Sequence, residues 1–311
     1  MRYIIFLMER FPFLEILFKK ISKNFFLRDK IKSFLFAGSE KKYSKRSDKE
    51  KDNFFTYLKK IGIVKGDIVI LHSSMDELSR VDISAIEIIN YLLEILGPEG
   101  TLVIPTFPLY NDKNTVGDCY IYSSKKTTCW TGLLPNIFLR YPDVIRSEFP
   151  YNSLAAKGKH AQLMMENNLL DNKIYGENSA WVYCIRNSAK VLFLGTPAFH
   201  TNTISHIPED LLGDKWPINN FFIRKSFVLQ GDSSSINFEA NIRADFWANN
   251  LKSYYRTYLL RKNKLLQEEK CSGIYVGYIE NSYKVVDYLS NLALQNKTMY
   301  YVPRKYKKKT L

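Results

Sequence analysis

From residue 53 onward, short unbroken apolar runs alternate with longer stretches whose apolar residues recur at three- and four-residue spacing. The first pattern reads as a strand buried on both faces, the second as an amphipathic helix. NFFTYLKKIGI (53–63) predicts a short helix and DIVIL (67–71) a strand. ISAIEIINYLLEIL (83–96) has helical periodicity and stops at GPEG, and TLVIP (101–105) is the next strand. Residues 106–131, rich in Thr, Ser, Asp and Tyr, read as a long irregular loop, a length that is usually functional in a compact domain. LLPNIFLRY (133–141) predicts a helix, KVLFLG (190–195) a third buried strand, and FFIRKSFVLQG (221–231) part of a hairpin. Residues 243–269 predict one long helix, and GIYVGYI, NSYKVVDYLSNLALQN and TMYYVP a closing strand, helix and strand. The alternation predicts an α/β fold, with a mixed, largely parallel central sheet and helices on both faces.

The N-terminal stretch, residues 1–36, is apolar and basic, but charges interrupt it too often for a transmembrane helix, which needs about 20 apolar residues in a row. Glu9, Arg10 and Pro12 break the apolar core that a signal peptide requires. The stretch predicts amphipathic helices resting on the body, on a second subunit of a homo-oligomer, or peripherally on an anionic membrane surface. SEKKYSKRSDKEKD (39–52) reads as a charged linker or an exposed helix start. The expected division is a basic extension and linker over residues 1–53, a catalytic body over 54–303, and a basic tail over 304–311.

Charge refines this picture. The 311-residue chain carries a formal +14, but residues 1–66 hold 17 Lys and Arg against 7 Asp and Glu, and the tail PRKYKKKTL adds five cations. The intervening body is left at −1. A nucleic-acid-binding protein would need a basic stripe on its body, so no nucleic acid is expected as partner. Four cysteines far apart, with no CxxC pair, argue against a disulfide scaffold or zinc ribbon and fit a reducing cytoplasm.

Ligands of open α/β sheets bind outside the carboxyl ends of the strands. Two such ends carry polar clusters: HSSMDELSR (72–80) after the first strand and TPAFHTNTISHIPED (196–210) after the third. His and Glu spacing matches no zinc motif, and neither GxGxxG nor a P-loop occurs, so no metal or nucleotide cofactor is expected. HSS lacks the flanking glycines of a nucleophile elbow, and Cys129 in TTCWTG has only its composition in favour of a thiol nucleophile. Within NTISHIPE, a helical turn after Thr203 would put His206 and Glu209 on one face, with Thr203 as cap. A carboxylate beside an imidazole suits a general base, although the same pairing also serves structural hydrogen bonds.

GDIVILHSS, GPEGTLVIPTF, RSEFPYNSLAAKG, YGENSAW, KVLFLG and NTISHIPE occur in that order. Together they resemble the antibiotic N-acetyltransferases typified by aminoglycoside 3-N-acetyltransferase, over about residues 54–302. The most specific parts are the pattern through Arg146, Ser147, Pro150, Ser153, Ala156 and Gly158, and NTxxHxxE. The resemblance implies an α/β fold, acetyl-CoA as donor, and direct acetyl transfer to a sugar amine. It implies His206 as base, Glu209 as its partner, and Thr203 or nearby amides at the developing oxyanion. His72, Ser73 and Ser74 would lie along the pantetheine arm, Arg146 and Ser147 would line the same cleft, and Asp245 would contact the acceptor amine or support the base. Phe149 stands where the family usually has a histidine. With the near-neutral body, this turns the expected acceptor from a polycationic drug to an amino sugar, nucleotide- or lipid-linked, of a bacterial surface polysaccharide. The alternatives are aminoglycoside resistance and a non-catalytic CoA-binding or membrane-surface scaffold.

Overall fold

Eleven strands are set by the chain's apolar runs and hairpins among the described residues: β1 (Ile68–Ser73), β2 (Thr101–Pro105), β3 (Thr115–Val116), β4 (Cys119–Tyr122), β5 (Ile145–Arg146), β6 (Leu154–Gly158), β7 (Lys190–Leu194), β8 (Phe222–Gln230), β9 (Ser235–Arg243), β10 (Gln267–Cys271) and β11 (Ile274–Ile279). The structure, a computed structural model, describes residues 2–21, 48–111 and 114–308. The main sheet has the order β10-β11-β7-β1-β2-β6-β5. Parallel pairing is confined to its centre, where β1 lies between β2 and β7. The flanking pairs are antiparallel, so the sheet is mixed with a parallel core.

The unbroken apolar runs belong to these central strands because each feeds two cores. Ile68 and Ile70 of β1 and Val191 and Phe193 of β7 point into one core, Val69, Leu71, Leu192 and Leu194 into the other. Successive strand side chains face opposite ways, so a strand covered on both faces must be apolar throughout. One face is covered by helices Asp48–Leu58, Ala85–Leu96 and Leu133–Phe138. The other is covered by helices Ala161–Met165, Ala180–Arg186 and Ser282–Leu294, together with part of a second sheet. Helix Ala85–Leu96 starts at a capping box, Ser84 with Glu87, which satisfies two backbone donors at its open end.

Three elements differ from the sequence reading. Residues 243–269 form two helices, Asp245–Asn250 and Ser253–Lys262, followed by β10, rather than one helix. TMYYVP is not a strand; it makes a single bridge, Tyr300 to Leu251. Residues 106–131 supply β3 and β4, which join the β8–β9 hairpin in a four-stranded sheet of order β3-β4-β8-β9. The hairpin was expected; the parallel pairing of β4 with β8 was not.

The first two helices, Arg2–Arg10 and Pro12–Ile21, pack on the body. Met8 and Ile16 are buried, and Glu9 pairs with Arg261 at 2.5 Å. No described helix is long and apolar enough to cross a membrane. Most of the predicted linker, residues 39–47, lies outside the described residues, as do residues 22–38 and the end of the basic tail, 309–311; residues 48–52 open helix Asp48–Leu58.

Candidate active site

The site is built where β7 ends. Gly195 turns the chain with φ of 73°, and a Cβ there would lie 2.9 Å from the Ser74 carbonyl oxygen. Glycine meets both demands without strain. Helix Ala198–Thr201, a tight 3-10 turn over Thr203–His206 and helix Ile207–Leu211 follow directly. Pro208, in the first turn of the last helix, needs no donor there. This path brings His206 Nδ1 to 2.5 Å from Glu209 Oε1. The predicted His–Glu pairing is therefore present. The predicted cap is not: the Thr203 hydroxyl donates back to the Thr201 carbonyl at 3.2 Å.

Three further side chains complete the cluster. Tyr300 donates its hydroxyl to the same Glu209 oxygen and accepts from Arg243 Nη1 at 2.9 Å. Arg243 Nη1 lies 3.2 Å from His206 Nδ1, and Arg256 Nη1 lies 3.5 Å from His206 Nε2. The contact to a carboxylate puts the ring proton on Nδ1, which leaves the Nε2 lone pair as the basic position. Burial holds the His206 pKa below its ordinary value, Glu209 pulls it back up, and the two guanidiniums push it down again. The net lowering favours the neutral imidazole, the form that a base needs before it acts.

Two cavities meet beside this cluster. One, of about 260 Å³, is lined by His206, Glu209, Asp210, Arg243 and Arg256 among others. The other, of about 130 Å³, runs along the carboxyl end of β1, past His72, Ser73, Pro105 and Thr131. Thr203, His200, Phe107 and Trp130 line both. Both side-chain atoms of Asn202, Asp210 Oδ1 and Arg256 Nε are buried without a hydrogen-bond partner along the first cavity, and His72 Nε2 is so along the second. Buried polar groups normally have partners, so such a concentration marks a place built for a polar ligand. Asp210 accepts from the Tyr175 amide, and burial lifts its pKa to about 7.

His206, Glu209, Thr203, His72 and Ser73 are thus brought together, and His200 stands beside them. The remaining expected residues lie elsewhere. Ser74 precedes a short helix and lines neither cavity. Arg146 donates to the carbonyls of Thr106 and Thr127 and lies over the Tyr122 ring, so it clamps the loop after β2. Ser147 bonds Asn168 at 2.5 Å and accepts from the Phe149 amide. Asp245 is at the start of its helix, exposed, in a separate depression beside Lys19 and Lys20. Phe149 is a buried core residue packed edge-on against Phe238, so it says nothing about the acceptor. Arg243, Arg256 and Tyr300 escaped the sequence reading. Arg243 ends a hairpin strand, Arg256 lies in a helix and Tyr300 in the C-terminal segment, none with a local signal, and only tertiary packing delivers them to His206. Among the described residues no group of three or more His, Cys, Asp or Glu could hold a metal ion.

Comparison with known proteins places this arrangement. The sequence model of the family described as aminoglycoside 3-N-acetyltransferase matches residues 70–273. The chain belongs to this family. Within it, the chain is 28% identical over 169 residues to the SPbeta prophage-derived aminoglycoside N(3')-acetyltransferase-like protein YokD of Bacillus subtilis (strain 168), covering 49% of this chain and 61% of that one. It is 30% identical over 165 residues to aminoglycoside N(3)-acetyltransferase IX of Micromonospora chalcea, covering 49% and 58%. The match spans less than two thirds of either relative's length. Family structures share the fold: AAC-IIIb, solved as a binary complex with CoASH, superposes with a TM-score of 0.67 at 18% identity, over 81% of this chain and 98% of that one. The apoenzyme of AAC(3)-IVa gives 0.62 at 20% identity, over 82% and 92%.

Proposed function

We propose that the protein is an acetyl-CoA-dependent N-acetyltransferase of the aminoglycoside 3-N type, transferring the acetyl group directly to a ring-borne amine. The observation that carries this is the His206–Glu209 pair at the junction of two cavities. The narrower cavity, with His72 and Ser73, suits the pantetheine arm, and the wider one suits the amine. A family relative solved with CoASH supports the choice of donor. His206 Nε2 takes a proton from the amine as its nitrogen attacks the thioester carbonyl. Glu209, already bonded to Nδ1–H, stabilises the imidazolium that forms. The oxyanion collapses, the C–S bond breaks, and the CoA thiolate recovers the proton from Nε2. Thr203 and the amides of its turn stand beside both cavities as candidates to receive the oxyanion charge.

The relatives' names support an aminoglycoside-type acceptor better than a surface-polysaccharide precursor, for which the relatives provide no support. The test is thiol release from acetyl-CoA in the presence of candidate amines. His206→Ala is expected to keep CoA binding and to lower turnover by about 10²-fold or more. Near-normal turnover in that variant removes His206 from the mechanism.

A further inference from the structure

We propose that Arg243 and Arg256 form an anion-binding subsite in the acceptor cavity, so that the acceptor is an amine that also carries a phosphate or carboxylate. The inference rests on the acyl-transfer reading above and narrows its acceptor class. Arg256 is 2% exposed and lines the wider cavity. The only hydrogen-bonding contact of its side chain among the described residues is the weak one to His206 Nε2, and its Nε has none. Arg243, at the end of β9, donates to the Tyr300 hydroxyl and lies 3.2 Å from His206 Nδ1, but makes no ion pair among the described residues. Buried cations are normally paired with carboxylates.

The nearby carboxylates each hold another partner, and among the described residues none forms an ion pair with either arginine. Glu209 Oε1 takes Nδ1–H of His206 and the Tyr300 hydroxyl. Glu15, also buried, accepts from the Ser253 and Tyr254 amides and pairs with Lys19. Asp210 takes the Tyr175 amide through Oδ2, and its Oδ1 has no partner. The Arg256 guanidinium therefore remains available, Arg243 adds a second cation beside it, and the unpartnered Asn202 amide can donate to the same group. A guanidinium presents a planar set of donors that fits phosphate and carboxylate oxygens. Its distance from Nε2 places the anion close to the reacting amine. A polyamine drug would instead meet two fixed positive charges at the reacting end of the cavity. Those charges also favour the neutral, nucleophilic form of an amine bound there.

The experiment compares acetyl transfer to glucosamine, glucosamine 1-phosphate, glucosamine 6-phosphate and a gentamicin-type polyamine, in the full chain and in Arg256→Gln and Arg243→Gln. In parallel, inorganic phosphate is titrated against thermal unfolding. A phosphorylated amine is expected to exceed the neutral sugar in kcat/KM. The phosphorylated-to-neutral ratio is expected to fall by about 30-fold or more in Arg256→Gln. Phosphate is expected to raise the Tm of the wild type and not of that variant. Arg256→Lys, which keeps the charge and loses the fork, is expected to fall between the two, and retained CoA binding identifies variants that have folded. The subsite is overturned if the polyamine outpaces every phosphorylated amine, or if neither variant changes the ratio or the phosphate response. If no amine releases thiol while phosphate still protects through Arg256, the acyl-transfer reading falls and the subsite stands.

Discussion

His206 is held between opposing influences whose signs can be tested one at a time. Burial and the guanidiniums of Arg243 and Arg256 lower its pKa, and Glu209 raises it. Activity that needs neutral His206 is therefore retained as pH falls to the ordinary histidine range, near 6.5, and is lost below it. Removing a cation relieves the depression, so Arg243→Gln is expected to shift the acidic limb of kcat to higher pH. Glu209→Gln removes the opposing charge and is expected to shift the limb lower. Histidine NMR titration or the pH dependence of kcat at saturating substrates reads both; limbs that coincide with wild type in both variants would contradict this account of the site. His72 offers a contrast. Burial alone lowers its pKa to about 3, and it stacks on Phe193, so it stays neutral and serves as a wall of the narrower cavity.

At the scale of elements, the helix carrying Arg256 begins without a cap of its own: the Lys252 side chain makes no capping bond. The cap comes from the other end of the chain. Glu15 accepts from the Ser253 amide at 2.8 Å and the Tyr254 amide at 3.0 Å, placing a carboxylate at the positive end of the helix. Glu15→Ala is expected to cost about 1–2 kcal/mol in denaturant unfolding. Because Arg256 lies in the first turn of the helix, the same change is expected to weaken acceptor KM more than donor KM. Equal stability, or equal loss on both substrates, would show that the N-terminal helices only cover the surface. The start of this helix also explains the failure of the single-helix reading of residues 243–269. The sequence there contains neither Pro nor Gly, and nothing local stops the pattern. The break at Leu251 comes from the C-terminal segment: the Asn250 carbonyl accepts from the Tyr301 amide, and the Lys252 amide donates to the Met299 carbonyl, both at 2.8 Å. Tertiary hydrogen bonds override helical propensity at such a place.

For the molecule as a whole, the elements that span the core were legible because their apolar pattern reflects burial on two faces. β1, β2 and β7 follow directly from unbroken runs, and the polar clusters after β1 and β7 locate the site. His206 and Glu209 were legible because three residues on a helical turn bring them together. Arg243, Arg256 and Tyr300 were not, since they reach His206 from β9, a late helix and the C-terminal segment. Asp245, two residues from Arg243 in sequence, lies outside the cavity that Arg243 lines. The net charge misled in the opposite direction: a nearly neutral body conceals two cations concentrated at one base. Trp130 is 62% exposed and lines both cavities, whereas Trp181, Trp216 and Trp247 are buried. The protein thereby carries its own optical reporter. Acrylamide quenching is expected to act mainly on Trp130, with CoA and acceptor each shielding it, and the response should vanish in Trp130→Phe. Stopped-flow emission can then establish the order in which the two substrates arrive, without any label.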